Sequence, residues 1–454
     1  MLTSFVLLSV FLRGVVGQFP TACTTAQALK DRRCCPQWKD GSMCGVDSGR
    51  GRCRFMHQTY SDKRSYTQPN DDRLDWPHEF YDSVCVCNGN CAGFDCGECK
   101  SGFRGAKCTE KKTIIRREIH ELSRQERLTF FSYLSLAKLK TSARYKILIT
   151  GNRYDRNTFR FVEASVYDVF AWMHFYSFAP FLQNNMFDAT INLAHEGPNF
   201  LPWHRWYLLF LEREIQILTH DYDFALPYYD WSMDGRTCSI CTDDMMGKSD
   251  NQGLLTSSSY FANWKSICSG FNYPNKYCTD AEDKCRMEPL HRNPGADPNN
   301  RQLDSAQQVE DVLQWKDYDT PPHNSTAKHS FRNCLEGFVD PSSGEVTRRS
   351  LHNLFHMYMG GTMSLVPLSG NDPIFLLHHG FIDKIYERWL VKNNVTSEMY
   401  PENKIFGHGP NDYIVPSIPP VRIKDYMRQA AMFGYKYSDY HPPSSNSSNT
   451  KQQA

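Results

Sequence analysis

Sixteen histidines are spread through this chain of 454 residues, and six fall where side-chain chemistry could use them. His352 and His356 stand four residues apart in "LHNLFHMYMGGTMS" (351–364), among large apolar neighbours. Four residues is slightly more than one helical turn, so a helix here turns both imidazoles to one face. A third member of this set comes from "NDPIFLLHHGFID", as His378 or His379. An earlier set comprises His174 in "VYDVFAWMHFYSF", His195 in "NLAHEGPNF" and His204 in "FLPWHRW". Taken singly, each reads as a structural imidazole satisfied by a carbonyl. Two sets of three on apolar segments resist that reading, because every buried imidazole costs free energy without a partner. A pair of metal ions partners all six at once. Three neutral nitrogen donors per ion, with no thiolate or carboxylate, leave an open coordination position and suit copper or zinc.

Such donors need helices to hold them. "VYDVFAWMHFYSF" (166–178), "WHRWYLLFLEREIQIL" (203–218) and "FIDKIYERWLVKN" (381–393) are strongly apolar helix candidates. From 113 to 140, apolar residues recur at three- and four-residue spacing with charges between, which also predicts helix. His195 falls on a loop, given Gly197 and Pro198. Long Gly/Pro/Asn/Asp-rich connections run between the helices, especially over 232–330. The expectation is a mainly α core wrapped in irregular loops, with short strands at most.

The totals set bounds. This length predicts two or more domains. Lys+Arg of 51 against Asp+Glu of 50, with no basic tract, argues against a nucleic-acid partner. The opening "MLTSFVLLSVFLRGVVGQFP" has an uncharged apolar run too short to span a bilayer, followed by small residues. It reads as a secretory signal over 1–17, cut before Gln18. Seventeen cysteines agree with an oxidising compartment. Asn324, Asn394 and Asn446 open glycosylation sequons that export makes usable. No later apolar window reaches about 18 residues, so no transmembrane helix is expected. The polar stretch 443–454 is expected to stay disordered.

Eleven cysteines lie between Cys23 and Cys108, and the next is Cys238. That break near residue 109 separates a cysteine-rich domain (18–109) from the histidine-bearing domain (110–442). The closing cadence of "CVCNGNCAGFDCGECKSGFRGAKC" (85–108) resembles the epidermal-growth-factor-like module. A zinc ribbon is the alternative, though exported thiolates usually pair with one another. An odd total leaves one thiol over; Cys91 is the candidate, because the cadence is complete without it.

The six histidines, with "FLPWHR" and "NDPIFLLHH" around them, resemble the type-3 copper proteins: tyrosinases, catechol oxidases and molluscan haemocyanins. The vertebrate tyrosinase branch is nearer still, through the cysteine-rich block, "SGRGRC", "HEGPNFLPWHRWYLLFLEREIQ", "CSICTDDMMG", "FRNCLEGF" and "NDPIFLLHHGFID". The likeness covers most of residues 18–440.

It implies a four-helix-bundle dicopper domain behind a small EGF-like domain. His174, His195 and His204 would hold one copper; His352, His356 and His379 the other, leaving His378 as a packing residue. With dioxygen as co-substrate, the expected chemistry is ortho-hydroxylation of phenols and oxidation of catechols. Tyrosine and dopa are the implied small-molecule partners, on the route to melanin. Glu336 and Asn353 match the positions proposed to hold a water that takes the phenolic proton; locally, Glu336 reads equally as a solvated surface carboxylate and Asn353 as a residue that orients the neighbouring imidazole. His356, Phe338, Met363, Val366 and Ser369 match substrate-facing positions. Asp383, four residues after His379, reads as an anchor for its helix, or else as a surface carboxylate.

Departures are visible. Leu193 stands two residues before His195, where fungal relatives link a cysteine, and Gly360 removes a usual sequon. The membrane helix that ends vertebrate tyrosinases does not appear, which leaves a soluble form, a truncated isoform or an incomplete sequence open; the expected location is the secretory pathway, in the melanosome lumen or as a secreted form. The sequence leaves the oligomeric state open. Two rival readings are a zinc isomerase of the tyrosinase-related branch and a haemocyanin-like dioxygen carrier. Those isomerases carry an apolar residue where this chain has His378. A carrier would need a shielding domain larger than the roughly 60 residues after the last helix.

Overall fold

The computed structural model describes residues 17–56, 73, 76–152, 155–178, 181–183, 186–188, 192–267, 287–347 and 349–439. The signal segment up to residue 16, Asn446 and the 443–454 tail lie outside them.

The helices that concern the site are α1 (Arg124–Leu139), α2 (Val166–Phe178), α3 (Phe200–Thr219), α4 (Phe331–Glu336), α5 (Leu351–Met359) and α6 (Ile374–Lys392). α1 begins only at Ser123, where a capping box forms: Ser123 Oγ accepts the Glu126 N–H and Glu126 Oε2 accepts that of Ser123. The helical period from 113 therefore overreaches. Ile114–Arg116 is instead a strand, paired in parallel with Tyr435–Tyr437 from the far end of the chain. No local pattern encodes such a pairing. α6 starts seven residues before the predicted 381. Ile374–Asp383 is buried on every side, so its first turns show no amphipathic stripe. α3 likewise opens at Phe200, with Pro202 in the first turn, where its missing N–H costs nothing.

The strands are longer than expected. Thr141–Asn152 and Asp155–Ser165 form an antiparallel hairpin, and Gly17–Pro20 adds a third strand with Gly17 opposite Leu148. Register shifts interrupt the hairpin, so the alternation that would announce it is broken.

In the cysteine-rich block, Ser83–Cys87 lies between Arg33–Cys34 and Gly51–Phe55 in one sheet. Disulfides join Cys23–Cys34, Cys35–Cys53, Cys44–Cys85, Cys87–Cys96 and Cys99–Cys108, with Cys238–Cys241 further on. Cys91 is free and buried, and so is Cys334; Cys268, Cys278 and Cys285 lie outside the described residues. The Cys99–Cys108 loop turns at Gly102 and Gly105, both at positive φ as the glycine cadence suggests. The composition break does not divide the core. Phe19, Leu29, Trp76 and Phe80 pack in the same buried cluster as the helices, while Cys44, Cys85, Cys91, Cys96, Cys99 and Cys108 form a small cluster of their own. Among the described residues, no helix is long and apolar enough to cross a membrane.

A buried charge network locks α3 against α6. Arg205 Nε donates to Asp383 Oδ1 (2.5 Å) and its Nη2 to Glu387 (3.2 Å). Arg116 donates to both Glu212 oxygens (3.1 and 3.3 Å) and to Asp383 (3.4 Å). The Tyr435 and Tyr437 hydroxyls each donate to Asp383 Oδ2 at 2.6 Å. Asp383 is thus no surface carboxylate: it is 4% exposed and serves two arginines and two tyrosines. The arginines and tyrosines hold its carboxyl below the usual range, against burial. Asp383→Asn leaves two buried guanidiniums short of an anion. It should cost about 3–5 kcal/mol, the usual penalty for breaking a buried pair. The midpoint of chemical denaturation reads this loss, and an unchanged midpoint would show that the network does not hold the helices.

Candidate metal centre

The structure brings both histidine sets together. α2 supplies His174, the loop before α3 supplies His195, and the first turn of α3 supplies His204; their candidate ligand atoms all lie within 4.8 Å of one another. His352 and His356 on α5 gather in the same way with His378 and His379 on α6. The two groups touch: the His204 and His379 rings stack at 4.2 Å with 6° between planes. Phe375 packs on His174 (4.8 Å) and His379 (4.1 Å), and Phe200 on His204 (4.9 Å) and His352 (4.7 Å). These two rings wall the centre from water, a role the sequence did not announce. A third grouping, Cys35, Cys44 and Cys85, is engaged in disulfides.

Backbone acceptors set the tautomers. His204 Nδ1 faces Phe200 O at 2.8 Å, and His356 Nδ1 faces Met363 O at 2.8 Å. His352 Nδ1 faces Glu336 O (3.2 Å) and Asn353 Oδ1 (3.1 Å). A ring nitrogen facing a carbonyl carries the proton, so Nε2 of each ring is a bare lone pair. Yet the Nε2 atoms of His352 and His356 lie 3.1 Å apart, and those of His174 and His195 3.3 Å apart. In the His352–His356 pair, where carbonyl oxygens claim both Nδ1 protons, the two Nε2 lone pairs repel unless a cation sits between them. His204 Nε2 and both nitrogens of His379 are also buried without a partner among the described residues. The donor set therefore fits a pair of ions.

Burial keeps these imidazoles neutral. It drives His174, His195, His352 and His379 well below the ordinary histidine value, His204 to about 3 and His356 to about 4. Neutral imidazole is the form that ligates.

Trp231 gives the two adjacent histidines different hydrogen-bonding surroundings. Its Nε1–H donates to His378 Nδ1 at 3.0 Å. An indole nitrogen can only donate, so His378 must carry its proton on Nε2, where it cannot ligate. His379 has no such constraint. Nothing in the local sequence of Trp231 signals this contact.

Glu336 is 1% exposed, not a solvated carboxylate. Its Oε2 accepts from Arg332 Nη1 (2.9 Å) and its Oε1 from the Glu196 backbone N–H (2.6 Å), next to His195. Burial pushes its carboxyl up to about 7 against the pull of Arg332. Asn353 Nδ2 is buried with no partner among the described residues. Met363 touches the set through its carbonyl on His356. Val366 is partly exposed at 37%, whereas Ser369 is buried and donates its hydroxyl to Val366 O, closing its own turn. Phe338 is half-buried under the Arg349 guanidinium (5.7 Å). Asn324 and Asn394 are both exposed.

A family model described as the common central domain of tyrosinase matches residues 164–392. Tyrosinase of Bos taurus is 43% identical over 444 residues, covering 94% of this chain and 82% of that protein. The 5,6-dihydroxyindole-2-carboxylic acid oxidase of Ambystoma mexicanum is 36% identical, covering 96% and 85%. Among solved structures, a polyphenol oxidase from Thermothelomyces thermophila is 17% identical with a TM-score of 0.48, covering 72% of this chain and 89% of its own.

The tautomers make the two neighbours on α6 separable. His379→Ala should cost the second triad its ion, read as lost metal per chain by elemental analysis. His378→Leu should keep both ions while lowering stability by about 1–3 kcal/mol, the usual cost of leaving a buried donor such as the Trp231 N–H unpaired. The reverse pattern would make His378 the ligand.

Proposed function

The chain belongs to the tyrosinase family, and from that premise we propose that it is a copper-dependent oxidase that hydroxylates monophenols and oxidises the resulting o-diphenols. Tyrosine and dopa are its substrates, and dopaquinone for melanin synthesis is its product. The observation that carries this reading is the pair of neutral histidine clusters, of three and four rings, touching across His204 and His379. We assign His174, His195 and His204 to one copper and His352, His356 and His379 to the other. When bound, the copper pair supplies the two-electron chemistry with dioxygen that no side chain can perform.

The protein's residues do the rest. Phe200 O, Met363 O and Glu336 O hold three imidazoles with Nε2 directed inward. Phe200 and Phe375 keep the space between the triads dry. The phenol lies against His356 beside the loop bearing Met363 and Val366, with Phe338 and Ser369 shaping its edge. Its proton passes to a water held between the Glu336 carboxylate and the free Asn353 amide N–H groups. Glu336 suits this task because its backbone carbonyl orients His352 while its carboxylate points toward the other triad's loop. We place the cysteine-rich EGF-like domain at 18–109 and the dicopper domain at 110–442. Export in the secretory route, to the melanosome lumen or outside the cell, accords with six disulfides among the described residues.

Copper quantitation beside monophenol and diphenol oxidation on one sample tests the assignment; zinc at full occupancy without copper would overturn it. The sharper test is Glu336→Gln. Losing a positioned base should slow tyrosine hydroxylation by about 10²–10⁴-fold while dopa oxidation falls far less. Equal losses on both substrates with copper intact would reduce Glu336 to a brace for the His195 loop.

A further inference from the structure

His195 is the one proposed ligand carried by no helix. Its loop, Asn192 to Asn199, is irregular, and Glu196 sits in the left-handed region at φ 58°. Such a segment cannot hold an imidazole in place by itself. Its bracing comes from far along the chain. His408 Nδ1 accepts the Asn199 backbone N–H at 3.2 Å, and His408 Nε2 donates to Asn192 O at 2.6 Å. One ring thus spans both ends of the loop. At the near end, Asn192 Oδ1 accepts the His195 N–H at 2.9 Å, and at the far end Asn199 Nδ2 donates to Leu193 O at 2.7 Å.

The staple is itself fixed. The His408 carbonyl accepts from Asn403 Nδ2 (2.8 Å) and the Tyr400 hydroxyl (3.0 Å), and its N–H donates to Ile405 O (3.1 Å). The ring is 2% exposed, and only its neutral Nε2–H form satisfies both partners, since Nδ1 faces an N–H. Space is matched as closely as polarity. A Cβ added at Gly197 would stand 2.5 Å from His408 Nδ1, so the loop needs glycine where the ring crosses it.

We propose that His408 is a positioning residue for the first copper, holding His195 at its site by bridging Asn192 and Asn199. This rests on the assignment of His195 as a ligand. Partners that orient a metal ligand typically change metal affinity by about 10–100-fold when removed. The loss should fall on one triad and spare the other, which general destabilisation would not do.

The test is titration of metal-free protein with copper(I) against a competing chelator, in the unaltered chain and in His408→Leu, His408→Gln, Gly197→Ala, His195→Ala and His352→Ala. His195→Ala and His352→Ala should each abolish a different binding step. His408→Leu should weaken the His195 step by about 10–100-fold and leave the His352 step unchanged. His408→Gln, whose Nε2–H can still reach Asn192 O, should recover most of that affinity. If His408→Leu fails to fold, Gly197→Ala carries the same expectation by pushing the ring aside. Should His195→Ala lose its step while the His408 and Gly197 variants bind like the unaltered chain, the staple is wrong. Equal weakening of both steps also overturns it, because the residue would then only stabilise the fold. If His195→Ala keeps both steps, the ligand assignment itself falls.

Discussion

Seven imidazoles share one dry space, and that constraint governs the rest of the molecule. A buried polar atom left unpaired costs about 1–3 kcal/mol. Here ring nitrogens of His174, His195, His204 and His379 have no partner among the described residues. A fold can carry such a burden only if something binds there. It must also keep the lone pairs aimed at that something, which the carbonyls of Phe200, Met363 and Glu336 do by claiming the Nδ1 protons. The apolar residues around the site then have two tasks. They exclude the water that would otherwise satisfy the rings, and they hold the imidazoles uncharged.

Precision in the ligands depends on how α3 meets α6. Arg205 follows His204 directly, and Asp383 lies one turn beyond His379, so the Arg205–Asp383 bond ties the two triads through their own helices. A buried ion pair is often no more stabilising than an apolar contact of similar volume. Its advantage is directional: hydrogen-bond donors and acceptors accept one register, whereas greasy surfaces can slide. The arginines and tyrosines around Asp383 make that register expensive to leave. The cost of burying charge is offset by fixing two metal sites relative to one another.

Much of this was legible in the chain, and the legible parts share a cause. Spacing on one helix is local, so His352 and His356 declared their common face. Residue type is local, so six histidines on apolar segments declared a metal site before any helix was placed. What stayed hidden depends on contacts made at long range. Glu336 reads locally as a solvated carboxylate as readily as a buried one; only Arg332 and the Glu196 N–H decide it. The choice between His378 and His379 turns on Trp231, about 150 residues earlier, whose indole has no periodic signature. The long hairpin of 141–165 was missed because register shifts break its alternation.

The stretch that matches the family's central domain, 164–392, contains every proposed ligand, yet it cannot be the unit that holds them. Its buried Arg205 and Asp383 are completed by Arg116 before it and by Tyr435 and Tyr437 after it. Trp203, one residue from a ligand, gives its indole N–H to Val415 O. Trp76, from the cysteine-rich block, donates to Ser417 O in the same late segment. The two flanks also pair with each other as strands, at 114–116 and 435–437. The chain after α6 therefore works as a strap: it closes the charge network, accepts the Trp203 indole N–H on the helix that carries His204 and staples the loop that carries His195. A disulfide-rich beginning and a loop-rich end are the natural materials for that strap. Neither has a large core of its own, so both gain their order by packing on the helices they restrain.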